Sequence, residues 1–219
     1  MPNLVCLLAC EIANESDTDF ESRPIPDVAV EFSKWVIGKC RPRDRWASVI
    51  GRLLLLEALR TLGARDISLR DLGRRDDNSP TVPHPFCGSI SHTAEMVVAV
   101  AAPSGSIGID IESDKLAPLH SNRICTFFSD NEQLQLKDQN EFMMFTYLWT
   151  RKEALVKATG RSLDEVLRQS VLRDRVFLDG RLWHLRSRCL SLAHHCAIAW
   201  DRRPLQLHFR MLNFSTLAP

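Results

Sequence analysis

The sequence S-I-G-I-D-I-E, residues 106–112, predicts a buried β-strand. Side chains alternate between the two faces of a strand, so the three isoleucines point one way and Gly108, Asp110 and Glu112 point the other. Two carboxylates therefore share one face of the predicted strand.

The sequence W-T-R-K-E-A-L-V-K, residues 149–157, predicts part of a helix that runs from Phe142 to Thr159 and ends at Gly160. Lys152 and Glu153 fall on or beside the apolar arc of this helix, where a charged side chain needs a partner. Lys157 lies one turn beyond Glu153 on the same side.

Carboxylate oxygens on a rigid strand suit a hard divalent cation, and magnesium is the natural candidate. Asp110 and Glu112 supply oxygens from the strand, and Glu153 could add a third group from a helix packed over it. Magnesium usually keeps waters and substrate phosphates among its ligands, so carboxylates with lysines beside them indicate a phosphate-handling site.

The two stretches, in this order and spacing and with I-S-H-T at residues 90–93 upstream, resemble the paired signature of the 4'-phosphopantetheinyl transferases. The closest type is the longer, monomeric one named after the activator of surfactin synthetase. The resemblance runs from about Arg41 to Trp200. It implies an α+β fold of two similar halves related by a pseudo-twofold axis, with the active site in the cleft between them.

A short internal repeat agrees with this duplication. S-I-S-H at 89–92 and S-L-A-H at 191–194 each precede an apolar run that predicts a strand. The join is expected near Pro103 to Ser106. Residues 1–104 then form an N-terminal α+β half with the coenzyme A phosphate contacts, and residues 105–219 form a C-terminal half with the magnesium and catalytic motifs.

The resemblance also assigns roles to single residues. Glu153 is the expected base as well as a metal ligand with Asp110 and Glu112, and Lys157 is expected to stabilise the leaving phosphate. Lys152 orients Glu153 or touches a phosphate. The expected coenzyme A contacts are Arg43, Arg45, Ser91, His92, Asp110, Lys152, Glu153 and Lys157.

One position departs from the family pattern. The family usually has Gly-Lys-Pro where this chain has Asn78-Ser79-Pro80, so a phosphate-binding cation is missing there. Arg74 or Arg75 could replace it from a nearby turn.

The implied reaction transfers phosphopantetheine from coenzyme A to a serine of an apo acyl or peptidyl carrier protein and releases adenosine 3',5'-bisphosphate. Carriers of fatty acid, polyketide, nonribosomal peptide or lysine pathways fit equally, and Arg151, Arg161 and Arg168 could meet their acidic helix. Two alternatives remain open: another magnesium-dependent nucleotide-processing enzyme, and a non-catalytic module that binds coenzyme A or a carrier protein.

Composition and charge narrow the classes of partner and the cellular location that the sequence favours. The formal charge of +1, from 28 basic and 27 acidic residues, does not favour nucleic acid as a partner. Seven cysteines without a C-x-x-C pair fit a reducing cytoplasm. The chain has no run of eighteen apolar residues and no standard signal segment, so neither secretion nor a membrane span is expected. The cysteines and histidines at 189–196 match no usual zinc-ligand spacing.

The rest of the chain predicts a strand over 4–12, helices over 27–37 and 43–62, and a strand over 96–101. Residues 67–70 suggest a further strand. In the C-terminal half, helices are expected over 120–128 and 129–137. Strands are expected over 173–177, 182–185, 196–200 and 205–212, around an Asp179-Gly180 hairpin turn.

Overall fold

The structure is a computed structural model that describes residues 4–12, 24, 26–38, 41–115, 124–138, 141–202 and 206–217. The chain divides into two compact units, one of residues 1–105 with 204–219 and the other of residues 106–203. The elements in chain order are β1 (Leu4–Glu11), α1 (Val30–Ile37), α2 (Pro42–Thr61), β2 (Cys87–His92), β3 (Met96–Ala102), β4 (Ile107–Ser113), α3 (Asp130–Asp138), α4 (Glu141–Thr159), α5 (Leu163–Leu167), β5 (Arg175–Leu178), β6 (Arg181–Ser191), β7 (His194–Trp200), β8 (Gln206–Leu212) and α6 (Phe214–Leu217).

The first unit packs helix α2 on a sheet with the strand order β2-β3-β1-β8. Pro42 occupies the first turn of α2, where its missing N–H leaves no hydrogen bond unmade. Gly63 lies just beyond the end of the helix with φ +97°, a conformation that favours glycine. The buried side chains of β1, β3 and one side of α2 form most of the core of this unit.

The second unit has an antiparallel sheet with the order β4-β7-β6-β5, and α4 packs on β4 and β7. The rings of Phe128, Phe145 and Trp149 stack in sequence beside its core. Asp179 and Gly180 both have positive φ, at 52° and 73°, as the expected two-residue hairpin turn requires.

The two units repeat one topology. In each, a first strand is followed by helices and later by a hairpin, β2–β3 or β6–β7, whose second strand pairs antiparallel with the first strand; β8 in the first unit and β5 in the second are additional edge strands. This agreement confirms the predicted α+β class and its duplicated architecture.

The C-terminal strand corrects the expected division of the chain. Residues 105–219 were predicted to form one half, but β8 pairs in parallel with β1 and residues 204–219 belong to the first unit. The physical reason is that β3 pairs with only one edge of β1, so the backbone groups along the other edge of β1 can form hydrogen bonds with β8. Local sequence does not say which edge a late strand joins.

Three local predictions also change. Residues 69–71 form a short 3-10 turn instead of a strand, since the Asp71 carboxylate accepts hydrogen bonds from the backbone and hydroxyl of Ser68. Strand β6 is much longer than predicted. Of the helix predicted over 120–128, residues 120–123 lie outside the described residues, and Cys125–Phe127 is a 3-10 turn.

None of the helices in the described part of the chain is both long enough and apolar enough to cross a membrane.

Candidate active site

Gly108 brings the two sequence signatures together. A Cβ atom built on this residue would lie 2.2 Å from the carbonyl oxygen of Ala154 and 2.5 Å from the amide nitrogen of Ala158, both in the backbone of α4. Only a residue without a side chain lets the helix lie this close to β4. The approach sets Glu153 and Lys157 beside the carboxylate face of the strand.

Asp110 and Lys157 form an ion pair across this contact. The Lys157 Nζ donates to Asp110 Oδ1 at 2.7 Å, and the aspartate side chain is 5% exposed while that of the lysine is 32% exposed. Because the partial burial limits screening by water, the pair is stronger than a surface pair of the same length.

Glu112 and Glu153 complete a group of three neighbouring carboxylates. Burial, followed by the charge of Asp110 and to a smaller extent that of Glu153, raises the pKa of Glu112 to about 7. The indole of Trp149 donates to Glu112 Oε1 at 3.3 Å, which opposes this rise, as does the charge of Lys157. Burial and then the Asp110 charge also raise the pKa of Glu153, against the effect of Lys157.

The donors fit a divalent cation in their chemistry. The charge of Asp110 raises the pKa values of both Glu112 and Glu153, so these carboxylates together hold negative charge that a hard cation with oxygen ligands would neutralise. Within the described ranges, no three Asp, Glu, His or Cys side chains are gathered closely enough to hold a metal ion. In this arrangement the Lys157 ammonium provides the countercharge at Asp110.

Lys152 was expected to orient Glu153 or to touch a phosphate, but its ammonium is fully buried and its hydrogen bonds go to other partners. It donates to Glu132 Oε2 at 2.8 Å, to the Leu167 carbonyl at 2.8 Å and to the Gln169 carbonyl at 2.7 Å. Both charged side chains are 0% exposed. Burial lowers the pKa of Lys152, opposed by the Glu132 charge. Lys152 thus ties α4 to α3 and to the segment after α5.

Arg151 is also structural. Its guanidinium is fully buried and donates to the carbonyls of Val171 and Arg173, both at 2.6 Å, and to the Ser187 hydroxyl at 3.0 Å. It therefore offers no exposed charge to a carrier protein. Arg161 and Arg168 are exposed, and Arg161 pairs with Glu165 and Asp179.

In the first unit, the predicted coenzyme A contacts lie around the turn between β2 and β3. Arg43, in the first turn of α2, donates to the carbonyl of Ala94 at 3.0 Å. Ser91 is buried and His92 is exposed at the end of β2, two residues before Ala94. Arg45 is half-buried, two residues along the same helix. The structure thus brings Arg43 to the serine-histidine turn.

The position that lacks the family's cation is a tight turn. Ser79 donates from its backbone and its hydroxyl to Asp77 Oδ1, at 2.9 Å and 2.6 Å. Arg74 donates to Asn78 Oδ1 at 3.0 Å, so its guanidinium lies beside the same turn. That Arg74 supplies the phosphate-binding cation which the family has at this position stays a prediction.

Two residues, Trp149 and Gly108, contribute to the site although the sequence pattern gives them no role there. Trp149 was assigned to the apolar arc, yet its indole N–H contacts Glu112. Gly108 was placed on the carboxylate face without a role. A glycine in the middle of an otherwise β-branched strand is a signal for close approach of another backbone, and could have identified it.

Comparisons with known proteins agree with this site. A family model described as the 4'-phosphopantetheinyl transferase superfamily matches residues 106–199, and one described as the 4'-phosphopantetheinyl transferase N-terminal domain matches residues 35–102. Together these matches span well over half of the chain.

Two curated proteins are similar at modest identity. The 4'-phosphopantetheinyl transferase gsp of Aneurinibacillus migulanus is 28% identical over 165 residues, which cover 73% of this chain and 68% of that protein. The 4'-phosphopantetheinyl transferase pptA of Paxillus involutus is 28% identical over 184 residues, covering 70% and 69%. With both family models matched and the signature carboxylates on the neighbouring elements β4 and α4, the chain belongs to the 4'-phosphopantetheinyl transferase superfamily and is a transferase of phosphopantetheine to carrier proteins.

Proposed function

We propose that this protein moves 4'-phosphopantetheine from coenzyme A to a serine hydroxyl of an apo acyl or peptidyl carrier protein, depends on magnesium, and releases adenosine 3',5'-bisphosphate. The observation that supports this most directly is the group of Asp110, Glu112 and Glu153 with Lys157, held together by the approach of α4 to Gly108. Phosphoryl transfer depends mainly on positioning and charge neutralisation, and this group supplies charges of both signs.

Glu153 is the proposed general base. Burial and the Asp110 charge raise its pKa, which makes it a better proton acceptor than an ordinary surface glutamate. It would take the proton of the carrier serine. Lys157, one turn further along α4 and partly exposed, would donate to a phosphate oxygen of the leaving group.

Asp110, Glu112 and Glu153 would hold the magnesium ion. When bound, such an ion polarises phosphate oxygens and neutralises the charge that develops on them. The negative charge these carboxylates share would hold the cation, and the indole of Trp149 would fix the rotamer of Glu112.

Arg43, Arg45, Ser91 and His92 are the proposed contacts for the coenzyme A phosphates. Support comes from the Arg43 contact with Ala94, which ties a guanidinium to the turn that carries the other two polar side chains. Arginine at the first turn of a helix adds its charge to backbone N–H groups that already favour anions.

The test is transfer to a panel of purified apo carrier proteins, followed by mass spectrometry of the carrier. Glu153→Gln keeps the side-chain volume and should lower the transfer rate at least about a hundredfold, as expected for loss of a general base. Asp164→Asn, an exposed neutralisation on α5, is the matched control and should keep the wild-type rate. A Glu153→Gln variant with wild-type rates would remove this residue from the mechanism.

Metal dependence and the non-catalytic alternative are tested with the same carriers. Chelation should abolish transfer and added magnesium chloride should restore it. If coenzyme A binds in calorimetry but no carrier gains mass with any divalent cation, the protein is a binding module and the proposed activity is wrong.

A further inference from the structure

Three polar side chains form a line at the end of the second sheet where His195 on β7 pairs with Glu112 on β4. Cys189 on β6 and His195 on β7 are paired residues, and their Sγ and Nδ1 atoms are 3.6 Å apart. On the other side of the imidazole, His195 Nε2 lies 3.2 Å from Oδ2 of Asp114, the residue that follows β4. The order is thiol, imidazole, carboxylate.

This order fixes what each group does. The carboxylate is only an acceptor, so the imidazole donates to it through Nε2–H. Nδ1 is then left as an acceptor that faces the thiol. A thiol, a base oriented by a third group and hydrogen-bond reach between them are the features of an activated nucleophile.

A cavity of about 370 Å³ opens beside the thiol. Its walls are mainly apolar and come from the first half of α4, with Met143, Met144 and Tyr147, and from β6, with Arg188 and Cys189 itself. Methionine side chains adapt their shape to extended, uncharged chains. The cavity therefore suits a flexible arm with little charge.

The other described cysteines lack this setting. Cys6, Cys10 and Cys196 are buried, and burial raises the pKa of Cys6 to about 11 and that of Cys196 further. Cys87 and Cys125 are half-buried, while Cys189 is exposed. Among the cysteines that the structure describes, only Cys189 combines exposure with a neighbouring imidazole and a cavity.

We propose that Cys189 is a site of thiol-disulfide exchange, which captures a small disulfide with an uncharged, extended arm in the adjoining cavity. In this step the Cys189 sulfur attacks one sulfur of the disulfide, a new S–S bond forms and the old one breaks. The thiol proton passes through Nδ1 of His195 to the departing thiolate. No electrons are lost or gained overall, because one disulfide replaces another.

Two cellular disulfides present this chemistry: those that end in a pantetheine arm, and glutathione disulfide. The pantetheine arm carries no charge, whereas each half of glutathione disulfide is charged, so the mainly apolar lining favours the pantetheine type even though Arg188 is among the walls. That choice of natural source rests on the proposed function, in which coenzyme A is the substrate. The exchange at Cys189 itself needs neither carrier protein nor magnesium.

The test uses the reduced full chain, pantethine as the probe, and intact-mass and peptide mass spectrometry over time. Cys189 should gain one pantetheinyl group at least about tenfold faster than Cys125, since the rate follows thiolate fraction and access. Glutathione disulfide should react more slowly than pantethine at this residue. Equal rates at Cys189 and Cys125 would overturn the proposal, and equal rates with the two disulfides would overturn the choice of ligand.

Two variants separate the nucleophile from the cavity. His195→Gln should slow labelling of Cys189 both by pantethine and by the small reagent methyl methanethiosulfonate, because the base is lost. Met143→Glu should slow only pantethine, because it puts a charge in the cavity and leaves the thiol unchanged. Cys125→Ser is the control and should label at the wild-type rate. If His195→Gln does not fold, Asp114→Asn replaces it, and wild-type labelling rates in the folded variant would refute the assisted thiol.

Discussion

Gly108→Ala is the sharpest test of how the site is assembled. The new Cβ would lie 2.2 Å from the Ala154 carbonyl oxygen, which is 1.2 Å inside the 3.4 Å at which ordinary contact begins. The neighbouring atoms are helix backbone and cannot rotate away, so α4 must move. Overpacking of this kind costs up to about 3 kcal/mol, and the entropy gained on replacing a strand glycine returns less than about 1 kcal/mol.

The net loss of about 2 kcal/mol predicts a melting temperature lower by roughly 4 to 8 °C for a chain of this size. Transfer activity should fall further than stability, because a helix shift near 1 Å lengthens the 2.7 Å contact between Lys157 and Asp110 and displaces Glu153, and such misplacement can cost about a hundredfold in rate.

Two other glycines provide matched controls. Gly38→Ala would place its Cβ 3.4 Å from the nearest atom, at a residue with φ −69°, so stability should change by less than about 0.5 kcal/mol. In Gly51→Ala the new Cβ would lie 2.5 Å from a side-chain atom of Ile90, which can move. The loss of stability of this variant should therefore be between those of Gly38→Ala and Gly108→Ala. Thermal unfolding and carrier transfer are measured on all three. If Gly108→Ala melts and reacts like Gly38→Ala, close approach of α4 does not assemble the site.

Three further outcomes are expected. Lys152→Met should lower the free energy of unfolding, measured by urea titration, by about 3 to 5 kcal/mol, because it leaves the Glu132 charge buried without its ion-pair partner. The double variant Lys152→Met with Glu132→Gln should recover part of that loss. In samples treated with a metal chelator, the free energy of unfolding of the wild type relative to Glu112→Gln should fall by up to roughly 3 kcal/mol between pH 5 and 8. The reason is that a folded-state pKa near 7, above that of the unfolded chain, favours the protonated native form at low pH. A rise of this difference with pH would contradict the burial of Glu112. Ser79→Lys should tighten coenzyme A binding about tenfold in calorimetry by restoring a charged hydrogen bond to phosphate, and unchanged binding would mean that Arg74 or another group already fills that role.

The strands and helices of an α+β fold and the site helix were predictable from short-range patterns, whereas the duplicated topology was expected from the family resemblance. Alternation in residues 106–112 and the helical period around Trp149 are local signals, and they place Asp110, Glu112 and Glu153 on defined faces. Ser129 with Glu132 three residues later is a sequence pattern typical of a helix start, and in the structure the Ser129 hydroxyl and backbone N–H donate to Glu132 Oε2 at 2.8 Å and 3.0 Å.

Lys152 and Arg151 show where local patterns fail. Both stand in the signature next to Glu153, and a charge there can face either a ligand or a buried partner. Their partners, Glu132, the segment 167–174 and Ser187, come from up to 36 residues away in sequence, so only packing could assign them. Lys152 was therefore expected to orient Glu153 or to touch a phosphate, whereas it is held inside the protein.

The sequence by itself determined on which faces the candidate residues Asp110, Glu112 and Glu153 lie, because each is in a strand or helix whose period orients it. The tertiary structure decided which of them meet: Lys157 with Asp110, Trp149 with Glu112, Lys152 with Glu132, and Cys189 with His195. It also decided that β8 joins β1. Pairings of this kind depend on the distance between elements that are remote in the chain, and that distance follows from how closely backbones pack, as at Gly108, which no local period encodes.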